Sequence, residues 1–350
     1  ITASHNPAPD NGFKLFDNRG LKFTLKAEKE IETFIEAQGE PGDIADQACG
    51  YDYDGRNVYI NTMKSQLHQH AIQGWKIVLD TANGATYQTS PEVLSHFGAD
   101  LVIIGDQPDG SNINDGVGSE NPKSLGQAVV REKAVMGIAH DGDGDRLVLC
   151  DEAGAVVDGD QLLGIIALHA LRKGKLNKET LVTTVQSNYG LDKCLREAGG
   201  VVERVAVGDR NVLLKMLELE VNIGGENSGH IIFTDHAMAG DGLLAAIKVI
   251  EVMLETGKKL SVLRQQVSLF PQAQTNLMVA EKLPLEDCGH LQEAIMDIGR
   301  ELAEHGRTLV RYSGTESKLR LLVEAEDPKA KDDSLKRLIK AAKRDLQVIK

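Results

Sequence analysis

The spacing of apolar and polar positions changes character several times along the chain and divides it into four stretches. Residues 1–70 open with a polar loop. A short apolar alternation at Phe13-Lys14-Leu15-Phe16 then predicts one strand, and a helical pattern runs from Lys26 to Gln38. Gly39 to Gly55 is acidic and glycine-containing, the pattern of a surface loop, and helical polar sequence continues to Gln73. The run Trp75–Asp80 predicts a strand, and the turn Thr81-Ala82-Asn83-Gly84-Ala85 after it is a good helix start. A helix over Ser90–Phe97 and a strand over Leu101–Ile104 complete a βαβ unit. A strand over Val135–Ala139 enters an acidic loop, and Leu147–Cys150 leaves it.

The same alternation returns further on. A helix over Gln161–Leu171 precedes the strand Leu181–Val185, the helix Leu191–Ala198 and the strand Val201–Val207. Helices after Asp209-Arg210 and over Gly242–Leu254 close this stretch, with the strand His230–Phe233 between them. From Pro271 the order is strand, helix (Leu291–His305), strand (Thr308–Tyr312), strand (Lys318–Glu324) and helix (Lys331–Leu346). These patterns predict repeated α/β domains followed by a small α+β domain. The expected boundaries are residues 1–70, 71–160, 161–268 and 269–350.

Composition narrows the function class. The chain has 350 residues, enough for two to four domains, and 41% hydrophobic content supports packed cores. A net charge of −13 argues against nucleic acid as a partner, because phosphate backbones select basic faces. An anionic small substrate in a local basic pocket stays open. The four cysteines, Cys49, Cys150, Cys194 and Cys288, form no close pair, so reduced, cytoplasmic thiols are expected rather than zinc or disulfides. No apolar run reaches the roughly 20 residues of a membrane span.

Four loops carry candidate chemistry. In Thr2-Ala3-Ser4-His5-Asn6-Pro7 a hydroxyl stands beside an imidazole and an amide, with Lys14 after Asn11-Gly12-Phe13. Such a serine is a candidate phosphoryl carrier, with His5 and Lys14 as candidate catalytic neighbours. Asp141-Gly142-Asp143-Gly144-Asp145-Arg146 places three carboxylates at alternate positions, which cannot comfortably ionise together without a cation. A hard divalent ion, Mg²⁺ or Ca²⁺, fits oxygen ligands of this kind. An EF-hand is the rival: Glu152 falls on the twelfth loop position, but Arg146 stands at the sixth, where glycine is required, and strands flank the loop. A solvated acidic turn is the bland alternative.

Gly224-Gly225-Glu226-Asn227-Ser228-Gly229-His230 could offer Glu226 and Ser228 to sugar hydroxyls, with His230 as a proton shuttle or a structural histidine. Arg311-Tyr312-Ser313-Gly314-Thr315-Glu316 has the make-up of an anion cradle, joined by Arg320 if its side chain turns to the same side; a polar hairpin turn is equally compatible. In Gly208-Asp209-Arg210, Asp209 reads as a helix N-cap, while Arg210 faces either a ligand or a surface ion pair. Asn83 and Gly84 read as structural.

Taken together, these segments resemble the α-D-phosphohexomutase family: T-A-S-H-N-P with N-G-F-K at 2–14, D-G-D-G-D-R at 141–146, G-G-E-N-S-G-H at 224–230 and R-Y-S-G-T-E at 311–316. The motifs stand in the family's order over nearly the whole chain. Asn112-Ile113-Asn114, Val207-Gly208-Asp209-Arg210 and Leu269-Phe270-Pro271-Gln272 point, more softly, to the member acting on glucosamine phosphates. The resemblance implies three related three-layer α/β domains with mixed sheets and a fourth α+β domain around a cleft, with a hinge near residues 258–275.

By carry-over, Ser4 is phosphorylated, and its phosphate with Asp141, Asp143 and Asp145 holds one Mg²⁺. Glu226 and Ser228 grip the sugar. Arg311, Ser313, Gly314, Thr315 and Arg320 take the non-reacting phosphate, Arg146 and Arg210 join the substrate contacts, and His5, Lys14 and His230 stand near the reacting groups. A hexosamine phosphate is then the partner, with no nucleic acid and no membrane. The resemblance also implies an α/β core and a phosphate-binding arginine ahead of the serine loop, so that residues 1–70 are the C-terminal remnant of domain 1. Ser317 stands where the family carries proline, and Ala239-Gly240-Asp241-Gly242 replaces a threonine-rich version. A sister mutase of glucose or mannose phosphates, and an inactive metal-binding fragment, are the alternative readings.

Overall fold

The structure, a computed structural model, describes residues 1–38, 55–314 and 316–349. Its contacts separate two compact units: Ile1–Thr184 with Glu203–Gln266, and Val185–Val202 with Val267–Lys350. Cys49 and the expected acidic loop before Gly55 lie outside the described residues, as does Thr315.

Residues 1–24 are loops. The strand expected at Phe13–Phe16 is not formed; single bridges join Thr2 to Gly12 and Phe16 to Lys22 instead. Alternation predicts a strand only when a neighbour can take its backbone N–H and C=O groups. Helix α1 (Leu25–Gln38) follows as expected. Helix α2 (Gly55–Lys64) buries Ile60 and Met63 and stops nine residues short of the expected Gln73, since turns take over and His70 adopts φ 65°.

Then come β1 (Lys76–Asp80), α3 (Thr89–His96), β2 (Asp100–Ile104), α4 (Pro122–Glu132), β3 (Met136–His140), β4 (Leu147–Cys150), β5 (Val156–Val157) and α5 (Gly159–Arg172). The sheet order is β2-β1-β3-β4-β5. β1 runs parallel to β2 and β3, while β4 is antiparallel to both its neighbours. Helix α4 is an addition to the expected elements: Pro122 starts it, and Leu125, Ala128 and Val129 form its buried stripe.

The next elements are β6 (Thr180–Thr184), α6 (Tyr189–Glu197), β7 (Val201–Val205), α7 (Asp209–Leu219), β8 (Ile223–Gly225), β9 (Ile231–Phe233), α8 (Gly242–Thr256) and α9 (Leu260–Arg264). The order β7-β6-β8-β9, with β6 and β8 parallel and β9 antiparallel, repeats β2-β1-β3-β4. Strand β8, Ile-Gly-Gly, was also not expected, because it lacks the branched apolar run that marks strands. Helix α8 is apolar nearly all round because it packs against strands of both sheets as well as α5.

The second unit carries β10 (Gln272–Met278), α10 (Gly289–Leu302), β11 (Gly306–Tyr312), β12 (Lys318–Ala325) and α11 (Pro328–Asp345). Its antiparallel sheet, order β10-β12-β11, and helices α10 and α11 share one core of Leu291, Ile298, Leu319, Leu321, Val323 and Leu338, while α6 lies in the unit's other segment. Mixed α/β sheets followed by an α+β sheet are the expected fold class.

Candidate active site

Two functional loops leave equivalent places in the repeated topology. The aspartate loop joins β3 to β4, and the loop of Glu226 and His230 joins β8 to β9. Both lie beyond the carboxyl ends of parallel strands, next to the point where strand order reverses around β1 and β6. The exits are stitched together: Arg146 bridges His230, and the Leu147 N–H donates to the Gly229 carbonyl at 3.0 Å.

Ser4 is brought to the aspartate loop through its backbone. Its carbonyl accepts from the Gly142 N–H at 3.0 Å and from Asn114 Nδ2 at 2.9 Å, and its own N–H donates to Thr2 Oγ1 at 2.8 Å. Thr2 Oγ1 in turn donates to Asp143 Oδ2 at 2.6 Å. Ser4 has φ 51°, the left-handed region, which these fixed partners hold. A Cβ at position 142 would stand 2.6 Å from the Ser4 carbonyl oxygen, so the approach requires glycine. His5 Nδ1 is 3.4 Å from Ser4 Oγ.

The three carboxylates converge: one oxygen from each of Asp141, Asp143 and Asp145 lies within 4.8 Å of the others. Each also has one buried oxygen with no hydrogen-bond partner among the described residues, Oδ2 of Asp141 and Oδ1 of the other two. Buried acceptors left unpaired are costly, so the cluster is suited to a cation. Glu152 is not in it; its carboxylate accepts from Ser261 Oγ at 2.6 Å. With strands on both flanks as well, the EF-hand reading falls. The triad could hold a metal ion.

Lys14 Nζ already bridges two members, pairing with Asp143 and, at 2.9 Å, with Asp145. Burial works against its charge, yet the two carboxylates outweigh burial and raise its pKa. Burial, followed by the charges of Asp145 and Asp143, pushes Asp141 up to about 7. Burial acts on Asp145 in the same sense, but His230 and Lys14 overcome it and hold that carboxyl well below the usual range.

A raised carboxylate stabilises fully below its unfolded value, 3.8, and that contribution is lost as pH rises through about 7. Buried His140 acts at lower pH: burial lowers it from 6.5 to about 4, so its contribution is complete above 6.5. Metal-free protein is therefore expected to lose a few degrees of Tm between about pH 6.5 and about pH 8.5, and added Mg²⁺ to restore them. Thermal unfolding with and without Mg²⁺ checks this; a flat profile unaffected by the ion would contradict it.

His230 is buried at the start of β9. Its Nδ1 faces Asp145 Oδ2 at 3.6 Å, and its Nε2 faces Asp209 Oδ2 at 3.7 Å. Asp209 is not the helix N-cap expected of it. Gly208 occupies that place without a side-chain cap bond, and the Asp209 carboxylate pairs with Lys22. Arg210 donates to the Phe23 carbonyl at 2.7 Å, and Arg146 reaches Glu120 at 3.2 Å. Glu226 Oε1 accepts from the Gly208 N–H at 2.9 Å, while Ser228 Oγ is buried with no partner among the described residues. Asn83 is structural, as expected: its Oδ1 accepts from the Gln107 N–H at 3.1 Å.

In the second unit, Arg311 and Arg320 are directly opposed across β11 and β12. Opposed like charges repel. Burial and then Arg320 lower the Arg311 pKa, and Arg320 Nε is buried without a partner among the described residues. Ser313 is buried, and its carbonyl accepts from Lys282 Nζ at 2.7 Å. Gly314 follows in the turn. An anion is the natural third party to this pair of guanidiniums.

Thr2, Asn114, Lys22 and Lys282 were given no role from the sequence. Thr2 and Asn114 stand in stretches that carried a signal, Thr2-Ala3-Ser4-His5-Asn6-Pro7 and Asn112-Ile113-Asn114, whereas Lys22 and Lys282 left none.

Comparison with known proteins points to one family. Residues 1–41, 57–154 and 158–270 match alpha/beta/alpha domains I, II and III of phosphoglucomutase/phosphomannomutase, and 275–341 match its C-terminal domain. Phosphoglucosamine mutase of Listeria innocua is 42% identical over 343 residues, 97% of this chain and 76% of that protein. The Syntrophotalea carbinolica enzyme of the same name is 43% identical over 93% of this chain and 73% of its own. Among solved structures, a phosphoglucomutase/phosphomannomutase family protein of Burkholderia thailandensis aligns with TM-score 0.78 at 24% identity, over 99% of this chain and 76% of its own. N-acetylphosphoglucosamine mutase of Aspergillus fumigatus, in complex with GlcNAc-6P and magnesium, aligns with TM-score 0.72 at 17% identity, over 98% and 88%.

Proposed function

This chain belongs to the phosphoglucomutase/phosphomannomutase family, and from that premise we propose that it is a phosphoglucosamine mutase, interconverting glucosamine 6-phosphate and glucosamine 1-phosphate. The observation that carries the chemistry is the Thr2 link: it ties Ser4 to a carboxylate triad in which every member keeps an oxygen with no hydrogen-bond partner among the described residues.

In this reading Ser4 Oγ carries a phosphoryl group. A hydroxyl of the bound sugar phosphate bonds to phosphorus as the Ser4 Oγ–phosphorus bond breaks, giving a bisphosphorylated sugar. That sugar turns over and returns its other phosphoryl group to Ser4. His5, beside Ser4 Oγ, serves the proton balance at the serine oxygen. The sugar hydroxyl exchanges its proton with the cluster of Lys14, His230 and their carboxylates. The protonated Lys14 also supplies positive charge where negative charge accumulates. Mg²⁺ held by Asp141, Asp143, Asp145 and the Ser4 phosphate would neutralise phosphoryl charge in a loose transition state.

Glu226 and Ser228 are assigned to sugar hydroxyls. Arg311, Ser313, Gly314, Thr315 and Arg320 are assigned to the non-reacting phosphate, so that either end of the sugar can be held while the other reacts. Arg146 and Arg210 reach substrate only by turning from Glu120 and Phe23. The product suits cytoplasmic synthesis of amino-sugar nucleotides for the cell wall. Among the described residues no helix is long and apolar enough to cross a membrane.

Sugar preference is the test. Turnover of glucosamine 6-phosphate is expected to exceed that of glucose and mannose phosphates in kcat/KM by roughly tenfold or more. A preference for mannose phosphate would overturn the glucosamine assignment and leave the mutase chemistry standing.

A further inference from the structure

The turn Gly240-Asp241-Gly242 touches both functional loops, although it belongs to neither. The Gly240 N–H donates to His230 Nε2 at 3.1 Å. The Gly242 N–H donates to the Gly144 carbonyl of the aspartate loop at 2.9 Å. A Cβ at position 240 would lie 2.3 Å from His230 Nε2, so the backbone is pressed onto the imidazole edge. Between the glycines, Asp241 Oδ1 caps α8 by accepting from the Leu244 N–H at 2.9 Å. Tyr59 on α2 reaches across with its hydroxyl 3.1 and 3.0 Å from the two oxygens of that carboxylate. Four separate elements thus fix one three-residue turn.

We infer that this turn is a tautomer lock: Tyr59 anchors Asp241 so that the Gly240 N–H holds His230 with Nε2 bare and its proton on Nδ1. An imidazole nitrogen that accepts a backbone N–H cannot itself carry hydrogen. A proton on Nε2 would leave the Gly240 donor facing another donor inside a buried contact. Asp209 also faces Nε2, at 3.7 Å, but the Gly240 N–H at 3.1 Å already occupies that nitrogen's lone pair, and Lys22 pairs with the Asp209 carboxylate. The nitrogen left to act is Nδ1, aimed at Asp145. His230 therefore works toward the aspartate loop and Lys14, and not toward Asp209. Tyr59 and Asp241 are positioning residues: they act through Gly240 and touch no reacting atom.

The kinetic consequence rests on the proposed mutase reading, but the tautomer does not. Nitrogen-15 NMR of the histidine-labelled full chain, with His230 assigned by comparison with His230→Gln, reads the state directly. The expected result is protonated Nδ1 and bare Nε2. Tyr59→Phe and Asp241→Ala should convert that signal to exchanging tautomers and lower kcat roughly ten- to a hundredfold with KM within about twofold. Asp241→Asn, which still accepts from Tyr59 and Leu244, should keep both. Protonated Nε2 in the native protein overturns the lock, and so does an unchanged signal in folded Tyr59→Phe. If the native tautomer is as expected but no hexose phosphate turns over, the mutase reading fails and the lock stands.

Discussion

Replacing Ser4 by alanine is expected to lower turnover by on the order of 10⁴-fold or more, with the fold intact. The fold should survive because the contacts placing residue 4 run through its N–H and carbonyl, which alanine retains. Activity should not survive, since the proposed covalent carrier is gone. Thr2 Oγ1, the nearest hydroxyl in the loop, is committed to Asp143. Intact mass spectrometry of the unsubstituted chain should show one added phosphoryl group that Ser4→Ala lacks. A variant that turns over substrate at near-normal rate, or keeps the added mass, removes Ser4 from the role.

Asp143→Asn is the second change with a large expected effect. One carboxylate oxygen of Asp143 receives Thr2 and Lys14, and the other is unpaired within the triad. An amide keeps the size but loses the charge that a hard cation requires. Turnover should fall roughly a hundredfold or more, and the Mg²⁺ concentration for half-maximal rate should rise with it. The gain in Tm on adding Mg²⁺ should shrink in parallel, a readout that does not depend on substrate. An unchanged metal titration would take Asp143 out of the site. Titrating rate and Tm on one preparation separates loss of the ion from loss of the Ser4 loop, because Thr2 can still donate to the asparagine oxygen.

The elements that the sequence made legible share one property: their signals are local. The aspartate loop is six residues long, and its alternate carboxylates with glycines between them are visible in the sequence without knowledge of any distant partner. Amphipathic helices such as α11, with Leu338, Ala341 and Ala342 buried on one stripe, were equally readable. The strand expected at Phe13–Phe16 failed because a strand depends on a partner that no local pattern supplies. Asp209 was misread for a related reason. Its position before a helix favours a cap, but Lys22, far away in the chain, offers an ion pair instead.

What the sequence determined by itself is which residue types stand together for the proposed chemistry: a serine beside a histidine, three alternate carboxylates, a histidine loop and two arginines near a polar turn. Each follows from residue types a few positions apart, where covalent geometry limits the outcomes. Tertiary structure alone decided how those groups are aimed. Pairing register sets Arg311 directly against Arg320. Asn114 and Gly142 bind the Ser4 carbonyl, and Gly240 selects the bare nitrogen of His230. Two of these three donors are backbone N–H groups, which every residue but proline carries. Their specificity lies in position, and position comes from packing between segments far apart in the chain.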